Sequence, residues 1–293
     1  MAHVSLRLRE NVDGEFFVDN SCIDCGMCRE VAPSVYGRSE SVGLSIVRRQ
    51  PQSEEEQVRA AMALVACPTS SIGTLHKVDV SVARTRFPEA IAAGVEEVAA
   101  CGWASKSSYG ASSWFVRRPF GNVLVDSPRA SRSLLDRIRS LGGARYMFLT
   151  HRDDVADHRY WHDALGCERV MHAADVIAAT RDVEHQLSGK APVALADDLL
   201  VIPVPGHTRG SAALLFREEF LFSGDHLWGE EGELAAGRDV CWFSWSEQVR
   251  SIARLRDHRF TWVLPGHGSR HHASSPEAMR ADLDRLLASL AAS

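Results

Sequence analysis

Seven cysteines occur in the chain, and four of them are patterned. Cys22, Cys25 and Cys28 are separated by two residues each, in the run CIDCGMC, and Cys67 is followed directly by Pro68. A loop this short can wrap three thiolates around one centre, and a remote Cys-Pro can close the fourth corner. That arrangement suits an iron–sulfur cubane. A zinc site is the other reading, although zinc more often uses two Cys-x-x-Cys pairs. Cys101, Cys167 and Cys241 are isolated, and an odd total argues against a disulfide framework. These three read as small core residues.

A second set of donors follows apolar runs. It comprises Thr150-His151-Arg152-Asp153-Asp154-Val155-Ala156-Asp157-His158, Pro205-Gly206-His207-Thr208, Ser223-Gly224-Asp225-His226 and Pro265-Gly266-His267-Gly268. Imidazoles and carboxylates projected from strand ends into one cleft are what a dinuclear hydrolytic site needs. The glycines let the backbone turn sharply beside each donor. His226, His162, His185, His271 and His272 read as surface residues or as residues behind the ligands.

The stretch CIDCGMCREVAPSVY and the tail ACPTSSIG resemble single-cluster bacterial-type ferredoxins. Two-cluster members carry a further Cys-Pro after the triplet, where Ala32-Pro33 stands here. The resemblance therefore implies one cluster, and four available cysteines favour [4Fe-4S] over [3Fe-4S].

The His/Asp motifs, in their order, resemble the metallo-β-lactamase superfamily over roughly residues 85–293. Val125-Asp126-Ser127-Pro128 looks like that family's opening strand and structural Asp. The resemblance implies a first metal site of His151, Asp153 and His207. It implies a second of Asp157, His158 and His267, with Asp225 bridging and Asp157 also orienting the nucleophile. Two departures stand out. An Asp replaces the second His of the usual Thr-His-x-His-x-Asp-His core, with Asp154 an alternative to Asp153, and two extra residues precede Asp157-His158. Arg209 also stands where Pro is usual. A carboxylate in place of imidazole shifts preference toward harder ions such as iron or manganese, while zinc, which carboxylates also ligate readily, stays an expected ion alongside iron.

The elements that must position these groups are legible in outline. GEFFVDN reads as a strand before the cysteine loop. Ser53 and three glutamates, followed by Val58, Ala61, Met62 and Val65, read as a helix delivering Cys67. Ser131 to Leu141 carries an apolar helical face, and a helix from Pro276 closes the chain. Residues 114–116, 122–125, 146–149, 199–202, 212–216, 219–222 and 261–264 read as strands. The expected fold class is α+β: residues 1–75 as a small ferredoxin-like domain, then 76–293 as a metallo-β-lactamase αββα sandwich. Residues 75–100 are left as linker or first strand.

Composition narrows the function classes. Hydrophobic residues are 45% and charged residues 24%, which excludes a disordered or fibrous chain. The net charge of −5 gives no basic field for nucleic acid. The longest apolar run, Ala60 to Cys67, is too short for a bilayer, and the charged opening MAHVSLRLRE lacks a signal peptide's apolar stretch. A cytoplasmic location is expected. The leading functional expectation is a metallohydrolase with a dinuclear metal site and bridging hydroxide, acting on a small molecule. The alternative is a di-iron redox enzyme fed electrons by its own cluster, and a non-enzymatic electron carrier or iron sensor is a third class. An electron-transfer partner is a further expectation, consistent with seven arginines against ten acidic residues in 1–75. Arg152 and Arg209 are candidates for holding an anionic group. Trp103, Tyr109, Trp228, Trp242 and Trp245 could line a pocket.

Overall fold

A computed structural model describes residues 2–292. The chain forms two compact units: residues 1–145 with 156–167, and residues 146–155 with 168–293. The first unit holds the cysteine-rich segment together with the strands that follow it. The second holds most of the His/Asp motifs.

In the first unit, strand Phe16–Val18 pairs antiparallel with Ile72–Thr74, and Tyr36–Arg38 with Ser45–Val47. Helix Glu54–Ala66 begins where Ser53 Oγ accepts the Glu56 N–H and three glutamates occupy the first turn. Its Ala60, Ala61, Met62, Ala63, Val65 and Ala66 are buried. The helix ends at Cys67, so its packing fixes where that thiol lies.

Residues 75–100 are neither a plain linker nor a single strand. They form helix Ser81–Arg86 and a hairpin of Glu89–Ala92 with Val95–Ala100. The chain continues antiparallel through Trp114–Val116 and Val123–Val125, whose inward residues are wholly buried. Helix Arg132–Ser140, capped by the Ser131 side chain, buries Leu134, Leu135 and Ile138.

In the second unit, Tyr146–Phe148, Glu168–His172 and His185–Leu187 are parallel neighbours. A six-stranded sheet runs in the order Val193–Ala196, Leu199–Pro203, Ala212–Phe216, Phe220–Gly224, Trp262–Pro265, His271–His272. Its Phe220–Gly224 and Trp262–Pro265 strands are parallel, so the residues after both leave from the same end of the sheet. Helices Trp245–Leu255 and Pro276–Ala292 bury Ile252, Leu255, Met279, Leu283 and Leu286 against Ile202, Leu215 and Val263. No helix among the described residues is long and apolar enough to cross a membrane.

Candidate metal centres

Cys22, Cys25, Cys28 and Cys67 line one hollow, closed on its apolar side by Val18, Met27 and Ile72. Asp24 at φ +55° and Gly26 at φ +81° bend the loop around it. Backbone N–H groups point at sulfur: Asp24 donates to Cys22 Sγ at 3.4 Å and Ser71 to Cys67 Sγ at 3.3 Å. Burial pushes the Cys25 thiol up to about 12 and Cys28 to about 11, with neighbouring cysteines adding to the rise. Four thiolates gathered in an apolar hollow need a compensating positive charge, which a metal cluster supplies.

The second unit gathers donors at its strand ends. His151 follows the Tyr146–Phe148 strand, and His207 lies in the hairpin between Leu199–Pro203 and Ala212–Phe216. The Ala212 N–H donates to Thr150 O at 2.9 Å, which ties these two segments together. Asp225 follows Phe220–Gly224, and His267 follows Trp262–Pro265. The Gly266 N–H donates to Gly224 O at 3.0 Å and holds these two ends in register.

His151, His207 and Asp225 form one group of donors and Asp154, Asp225 and His267 another, each within 4.8 Å. Asp225 belongs to both. Its Oδ2 lies 3.6 Å from His151 Nε2 and 3.8 Å from His207 Nε2, and both oxygens lie 2.9 Å from His267 Nδ1. Asp153 Oδ2 approaches His207 Nε2 at 3.5 Å, and Asp154 Oδ2 lies 3.9 Å from His151 Nε2.

The ring orientations suit metal donors. His207 Nδ1 faces Val240 O at 2.6 Å, which fixes the proton there and leaves Nε2 as the lone pair. The buried Nε2 atoms of His151 and His207 have no hydrogen-bond partner, and a bound cation would satisfy both. Burial pulls His151 down to about 4, against the pull of Asp225, so its ring is neutral at pH 7. Burial alone would raise Asp225, but His267, His151 and His207 outweigh it and hold the carboxyl well below the carboxylate range. The residues present therefore fit metal binding through mixed nitrogen and oxygen donors.

The glycines flanking the donors have steric reasons. A Cβ on Gly266 would meet Asp154 Oδ2 at 2.6 Å and Asp225 Oδ1 at 2.7 Å. Gly224 sits at φ +53°, where a Cβ would meet Thr150 Oγ1 at 2.5 Å.

Asp157 and His158 belong to the first unit, where Asp157 precedes helix His158–Leu165, and neither is in the two donor groups above. Asp157 Oδ2 accepts the Ala130 N–H at 2.7 Å, and His158 is buried. His226 is fully buried rather than at the surface, and burial pulls it down to about 3. His271 pairs with Asp282 at 2.6 Å, His272 stacks on Trp262, His162 Nδ1 faces Cys167 O and His185 pairs with Glu168. Cys101 and Cys167 are buried, and Cys241 is half-buried. Arg152 and Arg209 are exposed. Among the aromatics, Trp242 sits 6.2 Å from the His207 ring and is exposed.

Asp175 carries no sequence signal, yet it braces the donor loops. Its wholly buried carboxylate accepts from Thr208 Oγ1, from the Gly210 N–H at 2.6 Å and from the Arg152 N–H at 3.1 Å. Thr208 and Gly210 flank the His207 loop, and Arg152 follows His151.

Residues 18–74 match the family described as the 4Fe-4S single cluster domain of ferredoxin I. This segment is a single-cluster ferredoxin domain. The match spans all four cysteines and favours the cubane over the zinc reading. No curated protein matches the chain in a sequence comparison. Among solved structures, the chain is similar to members of the metallo-β-lactamase superfamily. ETHE1 from Myxococcus xanthus has a TM-score of 0.47 and 17% identity, covering 63% of this chain and 83% of that one. TTHA1623, solved in a di-iron-bound form, has a TM-score of 0.44 and 21% identity, covering 59% and 93%. The metallo-β-lactamase FIM-1 from Pseudomonas aeruginosa, in a mono-zinc form, has a TM-score of 0.45 and 18% identity, covering 60% and 84%.

Proposed function

We propose that the chain is a metal-dependent hydrolase that carries its own [4Fe-4S] ferredoxin domain. Two cations would be held by His151, Asp153, His207 and Asp225, and by Asp154, Asp225 and His267. The observation that carries this reading is the pair of buried Nε2 atoms of His151 and His207, both turned toward the shared carboxylate Asp225. In this proposal Asp154 takes the second-site place that sequence order suggests for Asp157, because the Asp154 carboxylate is grouped with Asp225 and His267.

Bound divalent cations would acidify water and polarise an acyl or phosphoryl oxygen. The chain's own residues do the positioning. Val240 O fixes the His207 tautomer, Asp225 orients His267, and Asp175 keeps the His151 and His207 loops in place. Three carboxylates among the donors reduce the net positive charge on a pair of divalent cations and favour hard ions.

That carboxylate-rich donor set supports a second reading, a di-iron redox enzyme supplied with electrons by the ferredoxin domain. One experiment tests both. Anaerobically purified protein is assayed on activated esters, thioesters and phosphoesters, with and without dithionite. Turnover insensitive to dithionite supports the hydrolase. Turnover of oxygen or nitric oxide that requires reductant, with no hydrolysis, supports the redox enzyme and overturns the proposal.

A further inference from the structure

The chain closes one edge of the ferredoxin loop with its own later residues, all within the first unit. A Cβ on Gly110 would meet Cys25 Cβ at 2.4 Å and Cys25 Sγ at 2.9 Å, so the backbone of this loop lies directly on a cluster ligand. The Ala104 N–H donates to Ala66 O at 3.2 Å, one residue before Cys67. Arg129 completes the closure. Its Nη2 donates to Val65 O at 2.8 Å, its backbone N–H donates to Trp103 O at 2.7 Å, and its guanidinium lies 5.6 Å from the Trp103 ring centroid.

Half-buried, this cation cannot swing into solvent without giving up both its bond to Val65 O and its contact with the Trp103 ring. Burial pulls the Arg129 guanidinium down, while Cys67 and Asp157 push it back up, so the charge stands in the field of a cluster thiolate. Arg29 and Arg38 also stand beside the loop, but both pair with Asp24, at 2.6 Å from Arg29 Nη1 and 2.7 Å from Arg38 Nε, so that carboxylate offsets part of their charge.

We infer that Arg129 raises the reduction potential of the cluster, holding it higher than it would be without this fixed charge. The electron count gives the sign. A [4Fe-4S]2+ core with four thiolates carries net charge −2, and taking one electron makes it −3. A fixed cation nearby stabilises the more negative state more strongly, so the potential rises. Arg129 is thus a positioning and tuning residue, without contact to any substrate. The inference rests on the ferredoxin domain and is independent of the chemistry at the second metal centre.

The test is an anaerobic redox titration of the full chain with dithionite, read by EPR of the reduced cluster. R129Q and R129M remove the charge while keeping an unbranched stem, and R129K keeps the charge. Both neutral variants are expected to need a potential lower by about 59 mV, the one-electron equivalent of a tenfold weaker preference for the reduced state. R129K is expected to stay within a third of that shift. A wild-type potential in either neutral variant overturns the inference, as does a shift in R129K equal to that in R129Q. Absence of any reduced-cluster signal in the wild-type chain would overturn the ferredoxin reading itself, a distinguishable result.

Discussion

Gly266→Ala isolates the second metal centre from the rest of the molecule. The added methyl carbon would lie 2.6 Å from Asp154 Oδ2 and 2.7 Å from Asp225 Oδ1. Each oxygen must retreat by roughly 0.7–0.8 Å to reach ordinary contact near 3.4 Å. Metal–ligand distances tolerate only about 0.2 Å of departure. The Gly266 backbone is not in the left-handed region, so Ala adds no strain of its own. The loss should therefore fall on metal affinity, by about 10- to 100-fold, the range known for displaced metal-site partners. That equals about 1.4–2.7 kcal/mol of binding free energy. The assay is competition for metal against a chelator of known affinity, with circular dichroism and the cluster EPR signal as controls. Wild-type affinity in G266A, with both controls intact, would refute the shared-carboxylate arrangement.

Other outcomes follow from particular residues. Asp154→Ala should lower metal content in the second unit, whereas Asp157→Ala should leave it unchanged; element analysis of both proteins decides, and the opposite pattern would restore Asp157 as the ligand. Asp175→Ala removes the acceptor of the buried Gly210 N–H and of the Arg152 N–H and should cost about 1–3 kcal/mol by urea unfolding. An unchanged urea midpoint would refute that bracing role. For Glu184, burial alone would raise the carboxyl, but hydrogen bonds from the buried Arg169 hold it at about 2, below its ordinary 4.5. Its folded value being depressed, the stabilisation is full above pH 4.5 and lost as pH falls toward 2. Glu184→Gln should thus cost about 1 kcal/mol at pH 7 after solvent screening, and the cost should shrink on acidification. A cost that grows below pH 4.5 would contradict the pairing.

Much of the site was legible because its signals are local. The intervals Cys22-Cys25-Cys28 follow from what one loop can wrap, and Cys67 follows from the helix start at Ser53. His151, His207, Asp225 and His267 each follow an apolar strand, so strand patterning alone put each of them just beyond a strand end, although the strand before His151 belongs to a different sheet from the other three. What sequence order could not decide is the register of Asp153, Asp154 and Asp157. Two extra residues precede Asp157-His158, so sequence spacing alone leaves open which carboxylate faces which donor. Asp175 was invisible because its role is entirely tertiary: its partners lie 23 to 35 residues away in sequence. His226 read as a surface residue or one behind the ligands, and its full burial, with Gln248 Nε2 donating to its carbonyl, excludes the surface alternative. The hairpin at residues 89–100 was ambiguous because its residues are mostly half-exposed and carry little alternation.

The most direct measurement is element-specific metal and acid-labile sulfide analysis of anaerobically purified chain, with EPR before and after dithionite. About four irons and four sulfides should belong to the cluster, and about two further divalent ions to the second centre. Those two ions should be lost from a His151→Ala/His207→Ala double variant, while the cluster signal remains. A full cluster with no additional metal in the wild-type chain would contradict the proposed metal centre.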